Sequence, residues 1–469
     1  TLEIQQAQGR LTDRIEFSGI RYRPEQASGA EIETLTLSWQ PSALLKSTLF
    51  ISELTASGIT IFKLETPPAE DSELVLPDIS LPLRIELAKL SLHDINIIDE
   101  SGTKTEVLQS LTSTTAVDFN RLKISQFQLQ REDLSASMQG YFRLRKPYQT
   151  DLSYVLKLEQ VLPTPFEVKG QLTGDTQRLT LEQTVSEPLA SSQTLVVTDL
   201  LEQLRWSITA QADKFNLADI LPEQTTRLTK LQLTGEGNLA SLSASLDSTV
   251  QQIDLPEIAL KANVQTDDLE SWSVTALAEL MTDTRLNLDG TFSLAGETPA
   301  ADLKVNWQNL PWPLTIEDRL VTSTEGTLLF SGTQNGYQAQ VKTVLDWQEE
   351  IINLSAKARG TMEQLTIESL DLKGFEGQLA ANGLLDWHAT PLQYELSANW
   401  RDMVLPDSLA PMAVTLEQGH IELQGSPEAL SLTTRASLLL DGVEMAINAD
   451  ASGQTDNGFE TTNLTIKLA

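Results

Sequence analysis

The stretch that decides the fold class reads LNLDGTFSLAGETPAADLKVNW, residues Leu286–Trp307. Apolar or small residues occupy every second position from Leu286 to Leu294, and the positions between them are mostly polar. A turn-forming stretch, Gly296–Pro299, follows, and the alternation resumes at Leu303. A period of two residues is typical of a β-strand with one apolar and one polar face. The stretch therefore predicts two strands joined by a tight connection, with even-numbered apolar residues in the first and odd-numbered ones in the second on one face.

The same alternation recurs along most of the chain, and no long segment shows the 3.6-residue spacing of an amphipathic helix. Further examples are TLTLSW, LSYVLKL, WSITAQA, YQAQVKTVLDW, INLSAKARG and LQYELSANW. At about 14 residues per strand and turn, the chain holds on the order of 30 strands. Two breaks, Asn216–Gln224 and Asp402–Pro411, predict short helical turns closed by proline. The predicted class is all-β: an elongated curled β-sheet, a β-taco or repeating β-groove, with an apolar interior and a few short helical caps.

A longer period is superimposed on the strands. Similar phrases of turn, strand and glycine end at Gly235, Gly332 and Gly425, which are 97 and 93 positions apart. Such spacing favours a stacked array over separate globules. The predicted organisation is an N-terminal strand block at 1–64, an acidic, proline-rich loop at 65–84, and a repeating β-groove array at 85–469, truncated at its C-terminus.

Composition narrows the function classes. The chain has 469 residues, a formal charge of −32 and no cysteine. The acidity disfavours nucleic acid as a partner, because phosphates are repelled, and the lack of cysteine excludes thiolate chemistry and disulfides. No apolar run is long enough to span a bilayer as a helix. Since the chain begins at Thr1 and ends in a strand-like segment, we expect that segments are missing at both ends.

The sequence contains no recognisable catalytic or metal-binding motif. The three histidines, His93, His388 and His420, are not part of any metal-ligand motif, and no nucleophile elbow, P-loop or dinucleotide-binding fingerprint is present. The carboxylates mostly fall on the polar phase of the strands, as expected of a solvated face. We therefore predict no catalytic residue, no metal, no cofactor and no enzyme activity.

Three stretches resemble a known family. They are GRLTDRIEFSGIRYRPEQASGAEIETLTLSWQPSALLKSTLFISELTASGITI (Gly9–Ile61), LPLRIELAKLSLHDINI (Leu81–Ile97) and LTIESLDLKGFEGQLAANGLLDW (Leu365–Trp387). They resemble the periplasmic part of the TamB family, which belongs to the AsmA-like group of envelope proteins. The resemblance implies a long curled sheet lined with apolar side chains, in the periplasm of a Gram-negative bacterium. It also implies an inner-membrane anchor through an N-terminal helix missing here, and an outer-membrane barrel partner, TamA, met through a missing C-terminal region.

The apolar phase of the strands supplies the candidate site. Core packing is the simpler interpretation of any single tryptophan. We expect the following residues to line a lipid groove: Leu35, Leu37, Trp39, Leu152, Tyr154, Leu156, Leu158, Trp206, Ile208, Leu286, Leu288, Phe292, Leu294, Leu303, Val305, Trp307, Tyr337, Val341, Leu345, Trp347, Ile352, Leu354, Leu392, Tyr394, Leu396 and Trp400.

Three functions remain open from the sequence. The first is a conduit that moves phospholipid between the inner and outer membranes, with acyl chains sheltered in the groove. The second is a scaffold or chaperone of the translocation and assembly module, whose sheet edges template strands of outer-membrane β-barrel proteins. The third is a structural spacer of closed sandwiches without a ligand, because alternation alone does not distinguish an open groove from a dry core.

Overall fold

A computed structural model describes residues 2–23, 29–62, 76, 78–98, 104–160, 162, 164–221, 223–252, 255–280, 283–296, 298–314, 320–348, 350–406, 413–454 and 458–468. These residues fall into two compact units, Thr1–Leu239 and Ala240–Ala469. In each unit, every strand pairs with the strands that precede and follow it in the chain, so that each unit is one long curled sheet. The prediction of an all-β fold is confirmed. The predicted boundaries at 64 and 84 do not coincide with this division and stay predictions.

The first unit has fourteen strands in its described part. They are β1 Leu2–Gly9, β2 Arg14–Tyr22, β3 Gly29–Gln40, β4 Thr48–Phe62, β5 Arg84–Ile98, β6 Lys104–Asp118, β7 Arg121–Gln130, β8 Leu134–Arg143, β9 Thr150–Leu158, β10 Phe166–Gly174, β11 Arg178–Val185, β12 Ser191–Thr198, β13 Arg205–Asn216 and β14 Arg227–Asn238.

The second unit has fifteen strands in its described part. They are β15 Leu242–Gln251, β16 Ile258–Thr266, β17 Ser271–Leu280, β18 Thr284–Ser293, β19 Ala300–Trp312, β20 Val321–Thr333, β21 Gly336–Trp347, β22 Glu350–Gly360, β23 Gln364–Gly374, β24 Gly377–Asp386, β25 Gln393–Leu405, β26 Val414–Gly425, β27 Ala429–Leu440, β28 Val443–Gln454 and β29 Gly458–Leu468.

One pairing breaks the antiparallel pattern. β4 and β5 are parallel, with Thr48 opposite Arg84 and Phe62 opposite Ile98, whereas the other strand pairs described within each unit are antiparallel. A parallel neighbour requires the chain to return from the end of one strand to the start of the next. The returning segment falls in the predicted loop 65–84.

The last part of that return, residues 78–83, lies across strand ends of the first unit and is called the strap. The Ile79 amide donates to the Leu144 carbonyl at 2.9 Å, and the Leu81 amide donates to the Phe119 carbonyl at 2.8 Å. Tyr148, a buried residue, donates its hydroxyl to the Leu76 carbonyl at 2.8 Å, just before the strap. These hydrogen bonds attach the return segment to the turns after β6 and β8.

The predicted helical turns have different outcomes. A short 3₁₀ helix, Leu217–Asp219, lies inside the segment predicted at Asn216–Gln224. The prediction for Asp402–Pro411 is wrong at its start, because β25 continues through Leu405. Asp402 has a left-handed backbone, with φ of 55°, but the register with β26 is the same on both sides of it, so the strand continues past this residue. Residues 407–411 lie outside the described residues. A second 3₁₀ helix, Pro41–Lys46, has no counterpart among the sequence predictions.

Candidate functional site: an uncharged sheet face

The backbone register of the second unit aligns the apolar phase of successive strands. Residues paired across antiparallel strands point to the same side of a sheet. One row of such partners crosses thirteen strands, β16–β28: Leu260, Ala278, Leu286, Trp307, Gly326, Thr343, Leu354, Leu372, Leu379, Trp400, Gly419, Ala436 and Ile447. Three parallel rows on the same face begin at Ala262, Val264 and Thr266 and end at Ala449, Ala451 and Gly453. We call these four rows the apolar face.

The apolar face contains no charged residue in any of its four rows. Apart from its aromatic residues, its polar side chains are three threonines, Thr266, Thr343 and Thr434. The opposite face is different: the row next to Trp307 runs through Asn287, Asn306, Lys342 and Asp371. This separation of apolar and polar residues onto two faces is the one predicted from Leu286–Trp307. Leu286 is paired with Trp307, Leu288 with Val305 and Phe292 with Ala301.

The side chains of the apolar face are partly shielded from solvent but not fully buried. Nearly all of them are half-buried, while Asn287 and Asp289 on the other side of β18 are exposed. A closed sandwich would bury these positions almost completely. Among the described residues, the hydrophobic side chains that are buried are Ala56, Ile95, Tyr148, Ala212, Leu280, Ile352, Phe375 and Met403. The second unit therefore presents a wide apolar surface that another molecule could cover.

A small dry cluster borders this face. Ile352, Phe375 and Met403 are packed together and flanked by Trp347 and Leu416. The rings of Trp347 and Phe375 meet edge to face, 5.7 Å apart at an interplanar angle of 78°. Of the predicted lining residues, Ile352 is therefore covered by protein, at 2% exposure.

The other predicted lining residues lie where the alternation places them, with two exceptions. Leu294 follows the end of β18 and is 52% exposed, and Leu392 precedes the start of β25. The remaining residues lie on strands, on the apolar phase of each. Those of the second unit belong to the apolar face or to the dry cluster beside it, and those of the first unit lie on β3, β9 and β13.

Aromatic rings on these faces lie against glycines of the next strand. A Cβ atom at Gly326 would be 2.1 Å from the ring of Trp307, and one at Gly419 would be 2.1 Å from the ring of Trp400. In the first unit the ring of Tyr154 covers Gly170 in the same way, at 2.4 Å. Because glycine has no side chain, the rings lie flat against the backbone of the neighbouring strand and protrude little from the sheet face. Sequence alternation shows the aromatic residues but not these glycine partners, which need the register.

Trp307 and Trp400 occupy equivalent places 93 residues apart, which matches the spacing of Gly332 and Gly425. The Trp307 indole donates to the Ser323 hydroxyl at 2.5 Å. The residue 93 positions after Ser323 is Leu416, and the buried Nε1 of Trp400 has no hydrogen-bond partner. The repeat thus preserves the packing of the ring and not its hydrogen bond.

In the first unit, a chain of polar side chains interrupts the apolar phase of β9–β12. The Tyr154 hydroxyl donates to Gln183 Oε1 at 2.9 Å, Gln183 donates its amide to Gln193, and Gln193 donates to the Ser191 hydroxyl at 3.3 Å. Burial raises the pKa of Tyr154. Gln183 and Gln193 lie in the same row as Tyr154 and Gly170, so this part of the sheet face presents amide and hydroxyl groups.

The polar face of the second unit is concave in places. Open cavities of about 820, 1000 and 880 Å³ are lined by polar-face residues of β23–β28, β17–β23 and β17–β23 respectively, together with residues of the apolar-face row that lies between them, such as Trp400 in the first and Trp307 in the second. Within the described part of the chain, no group of histidine and carboxylate side chains has an arrangement that could hold a metal ion. No helix among those same residues is long and apolar enough to cross a membrane.

Comparison with known proteins identifies the family. The profile of the family described as "TamB, N-terminal domain" matches residues 1–97, 64–277 and 268–469. No curated protein and no solved structure matches the chain. TamB proteins are envelope-spanning bacterial proteins of transport and assembly. With matches that extend over the whole sequence, this chain belongs to the TamB N-terminal domain family.

Proposed function

We propose that the chain conducts phospholipid, with acyl chains held against the apolar face, in the periplasm between the inner and outer membranes. The observation that carries the proposal is the absence of charge from four continuous rows across thirteen strands that remain half-exposed. Each CH₂ group moved from water to such a surface gains about 0.8 kcal/mol. Many weak, non-directional contacts favour sliding over fixed binding.

The face is suited to a ligand without a fixed position. Its uncharged rows continue from strand to strand, so that a chain displaced by one strand finds an equivalent surface. The smooth rings of Trp307 and Trp400 over glycine add to this equivalence. An anchor in the inner membrane and a contact with the outer-membrane barrel TamA belong to the same proposal, through the family.

The test is lipid mass spectrometry on the chain purified without detergent, together with loading by a fluorescent phosphatidylethanolamine. Leu288→Asp places a carboxylate in the apolar face, where an acyl chain would have to desolvate it. Asn287→Asp is the matched control, because it adds the same charge to the neighbouring position on the opposite face. We expect several phospholipids per chain in the parent and in Asn287→Asp, and at least a fivefold loss in Leu288→Asp.

Circular dichroism must first show that Leu288→Asp keeps its β structure; Leu396→Arg serves as the alternative block. A folded parent without bound lipid would reject the conduit and favour a scaffold for outer-membrane strands or a spacer. Equal loading of the two aspartate variants would show that lipid does not lie on this face.

A further inference from the structure

The cavity of about 820 Å³ on the polar face of β23–β28 differs in charge from the rest of its unit. Residues 240–469 contain 33 Asp and Glu but only 11 Lys and Arg. Three of these cations, Lys373, Arg401 and Arg435, line the cavity together with His420, whereas Asp371 is the one carboxylate among its described lining residues. A random sample of the charged residues in this unit would contain more carboxylates than cations. The cavity is therefore locally cationic within an acidic unit.

The cations are placed at a regular spacing by the register. Lys373 is paired with Gln378, which is paired with Arg401, so these two cations are in one row with a strand between them. Arg435 is opposite His420 on β26, and β26 separates it from Arg401. Neighbouring strands are about 4.8 Å apart, which puts successive cations roughly 10 Å apart along the cavity.

These cations have few competing partners. Within the described residues, Lys373 and Arg435 have no carboxylate oxygen within 4.0 Å, while Arg401 approaches Asp402 at 3.7 Å in a largely exposed pair. An exposed pair of this kind contributes little and is easily exchanged. His420 is hydrogen-bonded to Asn399 at 2.8 Å and to Glu422 at 3.0 Å, and these two contacts fix the orientation of its ring.

We propose that this cavity binds a short acidic segment of a partner polypeptide in an extended conformation. An extended chain of the polyproline II type has three residues per turn and advances about 3.1 Å per residue, so carboxylates three residues apart lie on one side and match the spacing of the cations. Arginine forks bind carboxylates in a bidentate manner. A flat anionic bilayer fits less well, because contact with it would bring Glu422 and Asp450 of the flanking row against the lipid phosphates.

The test is fluorescence anisotropy with the full chain and a labelled twelve-residue peptide that carries glutamate at every third position among serine and asparagine. The matched peptide carries glutamine instead. Lys373→Gln with Arg435→Gln removes two cavity cations. Lys304→Gln with Lys357→Gln is the control, because it changes net charge equally in a cavity that also holds Asp289, Asp302 and Glu368.

We expect the glutamate peptide to bind and the glutamine peptide not to bind. The cavity variant should weaken binding at least tenfold and the control variant less than threefold, and affinity should fall as salt rises. Equal weakening by the two variants, or no binding of the glutamate peptide at low salt, would overturn the proposal. Binding of phosphatidylglycerol vesicles without binding of the peptide would also overturn it and assign the cavity to a lipid surface.

Discussion

Replacing Gly326 with alanine tests whether the aromatic rings of the apolar face need the bare backbone beneath them. The added Cβ would be 2.1 Å from two ring atoms of Trp307, whereas ordinary contact begins at 3.4 Å. The ring must therefore move by more than 1 Å or the strands must separate. The obvious route is outward, into the space that a lipid would occupy.

The cost follows from two contributions. Overpacking at a tight contact costs about 1–3 kcal/mol, and displacement of the ring breaks its hydrogen bond to Ser323, for about 1 kcal/mol more. Alanine restricts the unfolded chain more than glycine does, and this effect offsets up to about 1 kcal/mol of the cost. We expect Gly326→Ala to lower the free energy of unfolding of the second unit by about 2 kcal/mol.

Urea unfolding followed by circular dichroism measures this difference. Gly336→Ala is the matched control, because no atom lies within 4 Å of its added Cβ and its backbone is outside the left-handed region. In a Trp307→Ala background the cost of Gly326→Ala should fall below about 0.5 kcal/mol, since the ring is gone. If Gly326→Ala is as mild as Gly336→Ala, or if its cost survives the loss of the ring, the reasoning is wrong.

Three further outcomes follow from named contacts. Ser323→Ala should lower the free energy of unfolding by about 1 kcal/mol in urea, because the Trp307 indole loses its acceptor; no change would mean that Thr343 substitutes for it. Tyr148→Phe should increase protease cleavage near the strap several-fold, because its hydroxyl donates to the backbone just before that segment, and unchanged cleavage would show that the strap holds without it. The hydrogen bond from Lys89 lowers the pKa of Glu53 below its usual 4.5, so the pair stabilises the fold above that pH and loses its effect as pH falls through the lowered pKa; Lys89→Met should flatten this part of the thermal-melting profile, and an unaltered profile would assign the pH dependence to other groups.

The period-two pattern was sufficient to predict the class of fold and the membership of each face. Leu286 and Trp307 share a face because alternation is a direct consequence of strand geometry, and their pairing followed from a short connection. The sequence also indicated the 93-residue spacing, which the equivalent positions of Trp307 and Trp400 now explain.

Other features depend on information that alternation does not contain. The parallel pairing of β4 and β5 is not visible in either strand, because only the path of the return segment distinguishes it from a hairpin. The segment that starts at Asp402 was predicted as a turn, although β25 continues through it with one left-handed residue, and alternation does not show this. Gln183 and Gln193 are polar residues on an apolar phase, and their mutual hydrogen bonds become evident only when the register is known.

The neighbour-to-neighbour pairing has a consequence for how such a chain can grow or shrink. Within the second unit each strand contacts those adjacent in the chain, so the sheet can assemble progressively, as segments emerge, without waiting for distant sequence. From Trp307 on β19 to Trp400 on β25 the chain advances six strands, an even number, which restores both direction and facing. Excision of residues 308–400 would join Trp307 to Arg401 and leave the order of the remaining strands intact. Duplication or loss of a gene segment that encodes an even number of strands would thus lengthen or shorten the sheet without changing the direction or facing of the other strands.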